Sequence, residues 1–166
     1  MVHGIFVGML LLAAASDLAR FRIPNVLSAG LALLFIAVAL PRFGEIGWSS
    51  HVAAGALTLG GGFLLFLLRA IGAGDVKLFA ASSLWLGLDL VPAHLVCTAL
   101  LGLVLLGALL VGRGLASRIW PGTDGPPDRP QPPRVLRRGM AVPYGVAIAG
   151  SAALLSGRVP EPLWWF

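Results

Sequence analysis

Polar and apolar positions divide the chain into long apolar runs separated by short charged or turn-forming clusters. The runs cover about Val2 to Ala19, Val26 to Leu40, Val52 to Leu68, Val76 to Val91, Ala93 to Gly112 and Gly139 to Leu155. Most are near the ~20 residues that cross a hydrocarbon core, and few carry internal charge. The pattern predicts an all-α bundle of about six membrane spans. The second run is short: at about 1.5 Å per residue it covers roughly 22 Å, so it needs local thinning, help from its flanks, or an end buried in protein. The fourth is also short. Turn signals mark the boundaries: Arg22-Ile23-Pro24-Asn25, Pro41-Arg42-Phe43-Gly44-Glu45, Gly72-Ala73-Gly74 and Pro92.

Composition supports the membrane reading. The 166 residues are 58% hydrophobic and 11% charged, with a mean hydropathy of +0.92, where soluble domains carry about 25% charged residues. The first run has neither a basic leader nor a small-residue exit, so it reads as a retained span, not a signal peptide. The length suits one membrane-embedded domain over residues 1–166. Residues 113–138 differ in character, with six of the twelve prolines, six arginines and two aspartates, and read as a loop attracted to anionic lipid. Cys97 is the only cysteine, and a small core thiol is its expected role. Gly4 and Gly8, and Gly60 to Gly62, suit close helix contacts. The tail Trp164-Trp165-Phe166 suits the membrane interface, and Asp89 headgroups or water.

Charge then orients the bundle. Loops after the first, third and fifth runs hold Arg20, Arg22, Arg69, Lys77, Arg113, Arg118, Arg129, Arg134, Arg137 and Arg138, while the opposite side holds only Arg42 and Arg158. The positive-inside rule makes the first side cytoplasmic and puts both termini outside. Asp17 ends the first run and Asp75 begins the fourth, so both acids fall at the cytoplasmic end. The Ile23-Pro24-Asn25 turn and Pro143-Tyr144-Gly145 map there too. His3, His51 and His94 map to the outer end, where solvated loop histidines are expected, and their spacing matches no metal-ligand motif.

Ionisable residues in membrane segments cost about 2.5–3.5 kcal/mol at mid-membrane and are functional candidates by default. Two carboxylates in one partly dehydrated site cannot both ionise easily, so such a pair shares a proton and offers an acid and a base together. The competing reading has Asp17 merely offsetting Arg20 or Arg22 at the headgroups. Lys77, about 200° round a helix from Asp75, is expected to snorkel to the cytoplasmic surface, with contact to an acidic substrate residue as the other reading.

Asp17 followed by Arg22-Ile23-Pro24-Asn25, then Gly72-Ala73-Gly74-Asp75-Val76-Lys77, then Pro143-Tyr144-Gly145 resembles, in order, the type IV prepilin peptidases, which are GxGD-type intramembrane aspartic proteases. The short first loop is similar to the compact peptidases of tight-adherence (Flp) pilus systems. The resemblance implies that Asp17 and Asp75 are catalytic and that Gly72, Gly74, Lys77, Pro24, Asn25, Pro143, Tyr144 and Gly145 position substrate. It implies a pilin precursor as substrate, cleaved at the cytoplasmic face of the inner membrane, with no metal or other cofactor, no nucleic acid and no N-methyltransferase activity. The GAGD hairpin would place irregular backbone beside the scissile bond, and Pro143 and Gly145 would let the last helix flex. The alternatives are an ion- or proton-coupled transporter and a catalytically silent subunit of a pilus or secretion assembly.

Overall fold

A computed structural model describes residues 1–119, 134–136, 141–159 and 163–164. These residues form six α-helices: α1 (Val2–Arg20), α2 (Asn25–Ala39), α3 (Trp48–Leu67), α4 (Ala73–Leu86), α5 (Val91–Ile119) and α6 (Tyr144–Ser156). Short 3-10 turns at Leu40–Arg42, Leu88–Leu90 and Arg134–Leu136 complete the described structure, which holds no strand. The all-α bundle is as the apolar runs predict.

Four segments are long and apolar enough to cross a membrane: Val2–Arg20, Asn25–Arg42, Trp48–Leu67 and Leu88–Ile119. The short second run reaches span length through the 3-10 turn that extends α2. The shorter helices are α4, of 14 residues, and α6, of 13. They are also the enclosed ones: α4 packs against α2, α3 and α6, and α6 against α1, α4 and α5. A helix sheltered by protein need not match the bilayer thickness, because neighbours and covering turns satisfy its ends.

Helix α1 shows how the sequence sets the site's position. Its buried residues, Val2, Phe6, Leu10, Ala13 and Asp17, recur at helical spacing along one stripe. The same stripe that inserts Phe6 and Leu10 into the core therefore carries Asp17 to the inner face. At the other end of the bundle Trp85 is fully buried, and its indole N–H donates to the Leu31 carbonyl at 2.9 Å. Its ring lies 5.0 Å from Phe6, 5.6 Å from Phe35 and 5.3 Å from Trp164, stacked on the last. Trp164 thus folds into the bundle and is not spread at the interface, because the face of Trp85 and the tilted ring of Phe6 give it an aromatic surface; Trp165 and Phe166 lie outside the described residues. Trp85→Ala is expected to cost about 3–5 kcal/mol, as loss of a large buried aromatic does. Thermal unfolding in detergent will show this as a lowered midpoint.

Two other expectations are corrected. His51 and His94 are buried, not solvated. His94 is hydrogen-bonded through both ring nitrogens, Nε2 to Ser82 Oγ at 2.9 Å and Nδ1 to Ser151 Oγ at 2.7 Å, and Ser151 also meets Thr98 Oγ1 at 2.7 Å. Hydroxyls that donate or accept suit an imidazole carrying one N–H, so α4, α5 and α6 are joined by a satisfied polar cluster. His51 Nδ1 donates to the Leu84 carbonyl at 2.8 Å, tying α3 to α4. Helix α5 also runs on to Ile119, past the expected boundary at Gly112. Arginines do not stop a helix, the first proline beyond is Pro121, and Arg113 anchors the last turns by donating to the carbonyls of Val135 and Ala141. Residues 120–133 and 137–140 of the arginine- and proline-rich stretch lie outside the described residues.

Candidate active site

Asp17 occupies the last turn of α1, where the chain must leave the helix at once to turn back. Phe21 makes the exit in the left-handed region (φ 53°), and its N–H closes on the Asp17 carbonyl at 2.8 Å. Ser16 Oγ donates to the Arg22 carbonyl at 2.9 Å and fixes the turn that follows. Pro24 then takes extended geometry (φ −60°, ψ 132°) as the cap of α2, and Asn25 is that helix's first residue.

The Asp17 side chain is 6% exposed, and its Oδ2 accepts the Gly145 N–H at 2.8 Å. No ion pair joins it to Arg20 or Arg22, which excludes the headgroup-offset reading in this structure. Gly145 is the second residue of α6, and the N–H groups of a first helical turn have no partner inside the helix. Asp17 satisfies one of them. A carboxylate there also faces the positive end of the helix dipole.

Asp75 also sits at a helix start. Helix α4 starts at Ala73 with Gly72 as its cap, so Asp75 is the third helical residue. Its carboxyl turns back toward Gly72, where an added Cβ would lie 3.0 Å from Asp75 Oδ2. The expected irregular backbone through Asp75 is therefore corrected: Ala73, Gly74 and Asp75 are helical, and the non-helical stretch is confined to the preceding residues, where Arg69 has φ 58°. Gly72, extended at φ −77° and ψ 144°, ends the irregular stretch as the cap of α4, and the helix runs on from Ala73.

Two helix N-termini thus converge, each holding one carboxylate, and the two carboxyls interact electrostatically as like charges. Asp17 and Asp75 are brought together as the sequence predicts. The two acids approach from residues 58 positions apart in the chain, so only the folded bundle makes them a pair.

Two of the flanking glycines leave little room for a side chain. A Cβ on Gly145 would lie 2.8 Å from Ile23 Cδ1, 2.9 Å from Asp17 Oδ2 and 3.1 Å from Asp17 Cβ. A Cβ on Gly72 would lie 3.0 Å from Asp75 Oδ2. At Gly145 the close approach of carboxylate to backbone needs the missing side chain, and at Gly72 an added methyl would crowd the Asp75 carboxyl. Pro143 is buried as the cap of α6. Tyr144 is 45% exposed, with its ring against Gly102 of α5. Lys77 Nζ donates to Asn25 Oδ1 at 3.0 Å, so these two residues meet each other, away from Asp75 on the far side of α4. Ile23, which the sequence offers only as a member of a turn, lies against both Gly74 and Gly145.

The fold and site define an α-helical membrane protein with two neighbouring carboxyl groups at one end of the bundle, Asp17 buried and Asp75 half-buried. Residues 4–107 match the type IV leader peptidase family, a stretch that spans α1 to α4, most of α5 and both aspartates, and the chain belongs to that family. It is a leader-peptidase-like protease of the membrane. No curated protein and no solved structure matches the chain.

Proposed function

We propose that the protein is an aspartic endopeptidase that removes the leader from type IV, Flp-like pilin precursors at the cytoplasmic face of the inner membrane. The observation that carries this reading is the convergence of Asp17, bonded to the first turn of α6, and Asp75, in the first turn of α4, each within electrostatic range of the other. Family membership supports peptide hydrolysis, and this pair supplies an acid and a base for it. One carboxyl is ionised and the other protonated, since like charges at this separation resist joint ionisation. The ionised member takes a proton from water as the water oxygen attacks the scissile carbonyl. The protonated member donates to the developing oxyanion. Collapse of the tetrahedral intermediate breaks the C–N bond, and the amine leaves with a proton returned by the pair.

The concentration of Lys and Arg on the dyad's side, ten residues against two, supports a cytoplasm-facing site with both termini outside. Such a site meets the basic leader of a precursor whose following segment is an apolar helix in the bilayer. The lipid bilayer and that helix are the proposed partners.

The test is cleavage of pilin precursors by the purified protein in liposomes, with the new N-terminus read by mass spectrometry. The expected product is cut once, between the basic leader and the apolar helix. Failure to trim any of several precursors, by a protein whose thermal unfolding shows it folded, would contradict the substrate assignment.

A further inference from the structure

The turn between α1 and α2 does more than reverse the chain. Its residue Ile23 is half-buried and lies across the two helix starts that hold the carboxyls. On one side a Cβ at Gly74, the residue before Asp75, would lie 3.3 Å from Ile23 Cβ and 3.8 Å from its Cδ1. On the other, a Cβ at Gly145, whose N–H binds Asp17, would lie 2.8 Å from Ile23 Cδ1. Both neighbours are glycines, so the isoleucine touches backbone on either side, and backbone does not yield as a side chain would.

The turn that carries Ile23 is itself fastened at each end. Ser16 Oγ holds the Arg22 carbonyl on the α1 side, and Lys77 Nζ holds Asn25 Oδ1 on the α4 side. Phe21 fixes the reversal with its left-handed backbone. A β-branched side chain with few χ1 choices, mounted on a strap pinned at both ends, has little freedom to withdraw.

We infer that Ile23 is a positioning residue, an apolar spacer that fixes the first turn of α4 relative to the first turn of α6 and so sets the gap between the Asp75 and Asp17 carboxyls. The inference rests on the dyad reading above. Lys77 and Asn25 act in it as the strap's outer fastening. Isoleucine suits the task because it fills space between two peptide backbones without offering a hydrogen bond that would compete for either carboxylate.

Two readouts test the spacer. In the first, kcat, KM and the pH–rate profile for precursor cleavage are compared among wild type, Ile23→Ala and Ile23→Val. A misplacement of the order of 1 Å costs about 100-fold in rate, so Ile23→Ala is expected to lose roughly 10- to 100-fold in kcat with little change in KM. The separation between the acid and alkaline limbs of the profile changes as well, because those limbs belong to the coupled pair. Ile23→Val keeps the Cβ contact on Gly74 but drops the Cδ1 that faces Gly145, and its rate is expected to fall between those of wild type and Ile23→Ala.

The second readout needs no substrate. Spin labels at Ala19→Cys and Ala73→Cys, in a Cys97→Ala background, report the distance between the end of α1 and the start of α4. That distance is expected to shift or broaden in Ile23→Ala and to hold in Ile23→Val. A wild-type limb separation together with a wild-type label distance in Ile23→Ala overturns the spacer, whatever happens to the rate or the unfolding midpoint. If wild type cleaves no precursor, the peptidase reading fails, and the label distances alone decide the spacer.

Discussion

Asp75→Asn, measured against wild type at matched folded yield, will reduce precursor cleavage by about 1,000-fold or more, and Asp17→Asn will do the same. General acid–base transfer contributes about 100- to 10,000-fold, and a donor aimed at the developing oxyanion a further large factor. Asparagine keeps the size of the side chain and loses both the proton and the charge. In the structure neither aspartate is buried in an ion pair whose loss would strand a partner: Asp17 accepts a backbone N–H at Gly145, and Asp75 is half-buried at the start of α4. An asparagine oxygen can accept the Gly145 bond. The variants are therefore expected to fold, and the loss to lie in chemistry. Retained cleavage in either variant would make that aspartate structural and leave the transporter or silent-subunit readings to be tested by proton flux.

Gly145→Ala is expected to be nearly as damaging, though by displacement and not by loss of a reacting group. The added methyl would press on the Asp17 carboxylate at 2.9 Å, on Asp17 Cβ at 3.1 Å and on the tip of Ile23 at 2.8 Å. The Ile23 tip can rotate, but Asp17 is held by the buried stripe of α1 and by its bond to the very residue that has been changed. The carboxylate must move or the start of α6 must back away, and a shift of the order of 1 Å is worth about 100-fold in rate. The measurement is kcat/KM for Gly145→Ala beside the double variant Gly145→Ala with Ile23→Val. The double variant removes one of the three clashes and should recover part of the loss. A rate near wild type for Gly145→Ala would show that the site has slack that these contacts deny. Gly145 consequently has a reason to be glycine that involves no flexing, and Pro143→Ala, which adds no atom against Asp17, is the cleaner test of a mobile last helix.

Much of the site was legible in the sequence because membrane proteins make ionisable residues expensive. Asp17 and Asp75 stood out against apolar runs, and counting spans assigned both to one end before any contact was known. Counting spans gives position along the membrane normal only. It could not tell that His51 and His94 point inward, since lateral placement depends on which face of α3 or α5 meets α4. Nor could it show the role of Ile23, which arises where three segments far apart in the chain come together at Gly74 and Gly145. Boundaries were misjudged where composition was taken for structure. The arginines after Gly112 continue α5, held by hydrogen bonds from Arg113 to the Val135 and Ala141 carbonyls, and α4 begins at Ala73, directly after its cap at Gly72.

The shared action of the two aspartates is the centre of the account, and a double-mutant comparison measures it. Cleavage rates are taken for wild type, Asp17→Asn, Asp75→Asn and the double variant, each with its unfolding midpoint recorded. Groups that act as one unit are strongly non-additive, and removing the second costs little once the first is gone. The account predicts three rates alike and at least about 1,000-fold below wild type. Losses that multiply in the double variant, or one single variant that cleaves near the wild-type rate, would contradict it.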